Sequence, residues 1–220
     1  MGLLSGMLQG LAFYLPIAAR ALAIGGGIAV TIGAMAAAYN AQLALYEEVL
    51  QNAELERFLS RQAQLLEEHP LAKQQAINDA LAKVAAATGV AVEALKRRRL
   101  DLKPFFIVKS LFPDVYKHKT EVLENHPNWY LLTYHASESW KVKNRKEALA
   151  ANPGWMVGAP SGYTSPDEFP YACTLQGGEF ASVRAVPWWQ NSLEGSYLGV
   201  FTKYTLKSMP GDFLIVPVPI

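Results

Sequence analysis

Residues 167–199 constrain this chain more than any other stretch. They open on Asp-Glu-Phe-Pro-Tyr-Ala-Cys-Thr-Leu-Gln, turn at Gly177-Gly178, and continue through Ala181-Ser182-Val183-Arg184-Ala185-Val186. Two β-prone runs on either side of a Gly-Gly step predict strand, turn, strand. Beyond Pro187 the pattern changes, and Asn191 and Glu194 stand three apart, on one face of an expected helix. The adjacent carboxylates Asp167 and Glu168 point to opposite faces of a regular strand, so they have different jobs.

The N-terminus has another character. Residues 21–45 carry no charge, and residues 3–19 carry none either, with Arg20 between the runs and Pro16 interrupting the first. The longer run is sufficient to cross a bilayer as a helix. A buried, Ala-rich helical hairpin in a soluble protein is the alternative. No basic segment precedes the apolar run, which argues against a cleavable signal peptide. Residues 46–69 turn polar and helical, His69-Pro70 ends that helix, residues 71–87 form a second one stopped at Thr88-Gly89, and a short third runs to Arg99. The pair reads as a stalk or spacer. Near residues 101–104 aromatics and prolines become frequent, which divides the chain into an apolar helical segment (1–45), a helical spacer (46–102) and a C-terminal domain (103–220).

A chain of 220 residues, 51% hydrophobic, suffices for one ordinary core plus an accessory segment. A net charge of +1 excludes no partner, since nucleic-acid binding needs only a local basic patch. One cysteine, Cys173, excludes an intramolecular disulfide, and on an apolar run it reads as core. His69, His118, His126 and His135 show no metal or triad spacing. Only His135, ending the strand expected over 129–135, stands as an auxiliary candidate. A basic helix is expected over 139–151, a Gly/Pro-rich loop over 152–166, and a last strand over 213–218, closing one edge of the sheet.

The C-terminal region resembles the NucA/NucB family of bacterial deoxyribonucleases. The resemblance rests on Asp167-Glu168-Phe169-Pro170, Gly177-Gly178, Ala181 to Arg184 with Val186, and Asn191 followed by Gly195 and Gly199. Lys143, Arg145, Glu147 and Leu149 look like the family's basic helix. It covers the chain from about Phe112 onward. Gln176 stands where the family often has an acid, and a second cysteine of secreted members is missing. The implied fold is α+β: a small nuclease domain of the ββα-metal kind, behind an all-α, partly hydrophobic N-terminal region. The implied activity is metal-dependent, non-specific DNA endonuclease chemistry.

Phosphodiester hydrolysis needs an activated water and neutralisation of phosphate charge, which one Mg²⁺ or Mn²⁺ on carboxylate and amide oxygens helps to supply. Glu168 is the expected general base and Asp167 a metal ligand or orienting acid, with the reverse assignment open. Asn191 is the second expected ligand through its neutral carbonyl oxygen, and it also suits a helix N-cap, the two roles being compatible. Glu194 shares its face and is the third metal candidate, with a solvated helix carboxylate as the other reading. Lys143, Arg145 and Arg184 are the expected phosphate contacts. Trp188 and Trp189 either stack on bases or cap the core. The expected partners are DNA, a cognate immunity protein, a membrane touched through residues 3–45, and a secretion-system component, for a toxin secreted or delivered into a target cell. A membrane-tethered scavenging nuclease, an RNase and a non-catalytic membrane or structural protein are the alternatives.

Overall fold

The computed structural model describes residues 53–97 and 102–220. The uncharged run at 21–45 lies outside the described residues. Among those described, no helix is long and apolar enough to cross a membrane. Helix α1 (53–68) is followed by α2 (Pro70–Thr88), α3 (Val92–Arg97) and β1 (Lys103–Val108). Then come α4 (Pro113–Asn125), a 3₁₀ turn (Pro127–Tyr130), β2 (Leu131–Tyr134), α5 (Glu138–Ala151), β3 (Ser165–Phe169), β4 (Ser182–Val186), α6 (Trp188–Val200) and β5 (Gly211–Val218). The result is the expected α+β mixture, with helices leading.

Local chemistry explains the boundaries. Pro70 takes the first position of α2, where its missing N–H is not needed. Gly89 ends the helix at φ 70°, donating its N–H to Ala85. Ser137 caps α5 by accepting from the Trp140 N–H.

Three strands form one sheet in the order β1-β5-β2, with β1 parallel and β2 antiparallel to β5. The last strand is thus the centre of the sheet, not its edge. Its alternation shows why. Phe213 and Ile215 join Phe105 and Ile107 in one apolar cluster, while Leu214, Val216 and Val218 join Val108 in another. A strand buried on both faces reads as a continuous apolar run. Pro217, which cannot donate to a ladder, lies beyond the Gly211–Leu214 segment paired with β2.

The two faces have different covers. Ala76, Ile77, Ala80, Leu81 and Val84 of α2 pack with Leu65, Leu66 and Leu95 on the Leu214–Val216–Val218 side. The segment expected to be a spacer is therefore packed on the sheet, and residues 52–220 form one compact unit. On the other side lie Phe112, Val115, Phe169, Tyr197 and Phe201, with Phe105 stacked on Tyr197 at 4.4 Å. Helices α4 and α6 and the separate β3–β4 hairpin belong to this layer, and it carries the site.

Candidate active site

Hairpin register sets the site. Asp167 lies opposite Arg184 and Glu168 opposite Val183. Directly opposed residues share a face, so Asp167, Arg184 and Ser182 look towards α4 while Glu168 and Val183 look towards α5. The expected division between the two acids is what the strands deliver.

The α4 side holds a buried ion network. His118 and Lys119 are fully buried there, as is Asp167. Asp167 Oδ2 lies 2.7 Å from His118 Nδ1, and Oδ1 lies 3.2 Å from Lys119 Nζ. His118 Nε2 continues to Ser182 Oγ at 3.0 Å. Lys119 also donates to Glu194 of α6, which accepts in addition from the Tyr171 hydroxyl at 2.6 Å. Burial alone would raise the Asp167 carboxyl, but the Lys119 ammonium and the His118 hydrogen bond outweigh it and hold it below the usual range. Glu194 goes the other way, raised by burial that Lys119 only partly offsets. The Tyr171 phenol is pushed well up by burial and by the Glu194 carboxylate.

Glu168 borders a cleft of about 460 Å³ lined also by Lys141, Arg145, Asn191 and Trp188, and by Asp167, Tyr171 and Glu194 although these three are buried. Arg145 donates through Nε to Glu168 Oε1 at 3.0 Å, and its side chain stays 61% exposed against 5% for Glu168. Burial raises the Glu168 carboxyl, and the Arg145 charge offsets only part of the rise. Asn191 uses both amide hydrogens on β3, donating to Ser165 Oγ and the Pro166 carbonyl at 2.8 Å each. What it can turn to a ligand is its carbonyl oxygen. It is not a cap, because Pro187 precedes the helix.

The Gly-Gly pair holds α5 in place. Asn144, buried on α5, donates to the carbonyls of Ala172 and Thr174 at 3.0 and 3.1 Å. A side chain at Gly177 would overlap the Tyr171 carbonyl oxygen, and Gly178 sits at φ 101° against Asn144. The apolar run after Pro170 therefore folds as turns docked on α5 in place of the expected strand, and this brings the neighbouring Arg145 over Glu168. Gly177→Ala should lower the melting temperature by several degrees and cut activity with it. An unchanged melting curve would show that the turn accommodates a methyl group.

Two basic residues expected at phosphate lie elsewhere. Lys143 is a half-turn from Arg145 on α5, and it pairs with Glu147 at 3.7 Å and sits over the Trp140 ring. Lys141, four residues before Arg145, shares the cleft instead. Arg184 shares the Asp167 face and pairs with Glu121 at 2.6 Å, lining a second cavity behind the hairpin. His135 stacks on Trp140 beside a small cavity. Burial pushes the Cys173 thiol up to about 11, which suits a core residue better than a nucleophile. Trp188 and Trp189 are exposed and do not cap the core.

Sequence reading misses His118, Lys119, Tyr171 and Ser182. A signal exists for the first two. They share the buried face of α4 with Val115, Val122 and Leu123, so titratable groups stand where the helical period demands apolar ones.

As for a metal, no three His, Cys, Asp or Glu side chains converge as a ligand set among the described residues. Asp167 and Glu194 line the cleft, and Lys119 pairs with both, so neither is a free carboxylate. Asn191 and Glu168 share that cleft, and they fit an ion of the Mg²⁺ type that keeps most of its water.

Residues 121–215 match the family model described as Deoxyribonuclease NucA/NucB. This region is a NucA/NucB-type deoxyribonuclease domain. The match spans the whole cleft, from α5 through the hairpin to α6, so DNA is the substrate of the NucA/NucB-type domain. It begins just after His118 and Lys119, leaving those two buried partners outside it. No curated protein matches the chain.

Proposed function

We propose that the NucA/NucB-type domain is a divalent-metal-dependent endonuclease in which Glu168 is the general base. The observation that carries this reading is the pairing of Glu168 with the exposed Arg145 in a cleft that also holds Asn191. Glu168 accepts the proton of the attacking water through the oxygen that Arg145 leaves open. Arg145 and Lys141 meet the phosphate, Arg145 as a fork and Lys141 as a point charge. Asp167 stays ionised behind the strand and stabilises the site electrostatically. A Mg²⁺ or Mn²⁺ ion held by the Asn191 carbonyl oxygen, with Glu168 reached through its water shell, would add charge neutralisation at the phosphate. Plasmid nicking that stops in chelator and returns with Mg²⁺ or Mn²⁺ is the expected result. Full activity in chelator would remove the metal from the reading.

Two measurements probe the assignment further. The Lys141→Ala/Arg145→Ala variant should bind all DNA sequences more weakly, with a salt slope shallower by about 2, one for each cation taken from the phosphates. An unchanged slope would mean these cations face only solvent. The acid limb of kcat/KM should lie above the usual glutamate value of about 4.3, because burial raises Glu168 and activity is lost as pH falls through its raised pKa. A limb at the ordinary value would rule Glu168 out as the base.

The biological setting we propose is that of an antibacterial effector. The uncharged residues 3–45 support membrane contact in a target cell, delivered by a secretion-system component, and a nuclease made in the cytoplasm calls for an immunity protein at home. An inhibitor with an acidic face suits a cleft carrying Lys141 and Arg145. Expression in a naive bacterium should be toxic, and the neighbouring small reading frame should rescue growth. A harmless but enzymatically active protein would favour the tethered scavenging nuclease.

A further inference from the structure

Lys119 has no exposed surface, yet it carries a charge into the centre of the domain. Its ammonium touches Asp167 at 3.2 Å, bonds Glu194, and lies 4.5 Å from the Tyr171 ring centre. Glu194 is equally buried and comes from a different helix. An ammonium between two desolvated carboxylates neutralises a pair of acids that would otherwise attract a cation. Breaking such a buried set by removing one member leaves an uncompensated charge, whereas replacing cation and anion together by neutral groups of similar shape is close to neutral for stability. That asymmetry allows structure and catalysis to be separated.

We propose that Lys119 is a resident cation of the catalytic centre, a positioning residue that pins Asp167 in its pose behind Glu168 and keeps a divalent ion out of the Asp167–Glu194 pair. Asp167 is the residue next to Glu168 on β3, so its ties to α4 and, through Lys119, to α6 fix the strand segment that carries the base. Loss of the ammonium leaves Asp167 tied only to His118, and Glu168 loses its registration with the cleft. Misplacement of a reacting group by about 1 Å costs on the order of 10²-fold in rate. The proposal rests on the nuclease reading for its kinetic arm and not for its metal-binding arm.

The test uses the full chain. In Lys119→Met/Glu194→Gln both charges go, and the side-chain amide placed at position 194 still accepts from Tyr171. Its melting temperature should stay near that of the wild type, while kcat on DNA falls on the order of 10²-fold with KM little changed. Mn²⁺ bound per chain, counted by electron paramagnetic resonance, should be the same for the wild type and for Glu194→Gln. The Lys119→Ala variant, with its inner carboxylates freed, should gain one Mn²⁺. A stable double variant with wild-type kcat would reduce Lys119 to a structural ion. Loss of a Mn²⁺ in Glu194→Gln would make the inner carboxylates true metal ligands, and either result overturns the proposal. If the double variant does not fold, the Mn²⁺ counts still decide. If the wild type leaves DNA uncut, the nuclease reading fails separately, and the same counts decide on Lys119.

Discussion

Glu168→Gln is expected to lower DNA cleavage by about 10²–10⁴-fold, the usual contribution of a general base, and to leave the fold intact. The carboxylate borders the open cleft, and its partner Arg145 is itself 61% exposed and loses little by turning to solvent. Asp167→Ala should behave differently. Its partners His118 and Lys119 have no exposed surface, so the substitution leaves a buried imidazole and a buried ammonium each short of a carboxylate, with Lys119 held by Glu194 alone. Removing one partner of a buried pair costs about 3–5 kcal/mol, which in a domain of this size lowers the melting temperature by about 10 °C or more. The two neighbouring acids thus separate in a pair of measurements, since one variant is inactive and stable while the other is inactive and unstable. Cleavage by Glu168→Gln at the wild-type rate would overturn the assignment of the base. Wild-type stability in Asp167→Ala would mean that the α4 network adds nothing to the fold.

The same acids carry opposite pH signatures in stability. Asp167 is held below its ordinary value when folded, so its contribution is present above the unfolded pKa and is lost as pH falls through the folded one. Glu168 is raised when folded, so it costs stability as pH climbs from the ordinary value through the raised one.

A chain beginning at residue 103 should fail to fold, whereas one beginning at residue 52 should fold and cut DNA. The shorter chain loses α2, and with it Ile77, Leu81 and Val84, each worth about 1.5–3 kcal/mol of burial. What it exposes is the Leu214–Val216–Val218 face of the central strand and Val108 beside it. Set against a total stability of about 5–15 kcal/mol, that loss is not survivable for a small sheet. Circular dichroism and a melting curve on both chains decide the matter. A cooperative transition in the shorter one would mean the helices are dispensable after all.

Much of the hairpin is legible in the sequence, because period-two alternation places Asp167 and Glu168 on opposite faces without reference to anything distant. The same alternation puts Arg184 in view, but which helix waits on that face is a tertiary fact, and the partner is Glu121. Lys143 draws the eye because it resembles a family position, although the helical repeat pairs Lys141 with Arg145. The run after Pro170 looks like a longer strand. It becomes a set of turns because Asn144 takes its carbonyls and because Gly177 allows a backbone approach that any side chain would block. Sheet order is harder still, since nothing in residues 211–218 says which strands will flank them.

That order has a temporal consequence. The central strand follows the other described elements in the chain, and β1 waits more than a hundred residues for its parallel partner, Lys103 for Phe213 through Val108 for Val218. A ribosome that has released β1, the helices and the Asp-Glu hairpin has released every residue of the cleft but not the strand that supports the layer beneath it. Long-range pairings of this kind form late and slowly. The nascent chain therefore holds every residue that lines the cleft before the central strand is available. A product that stops before residue 211 lacks the centre of the sheet, so it is expected to show neither a cooperative melting transition nor DNA cleavage.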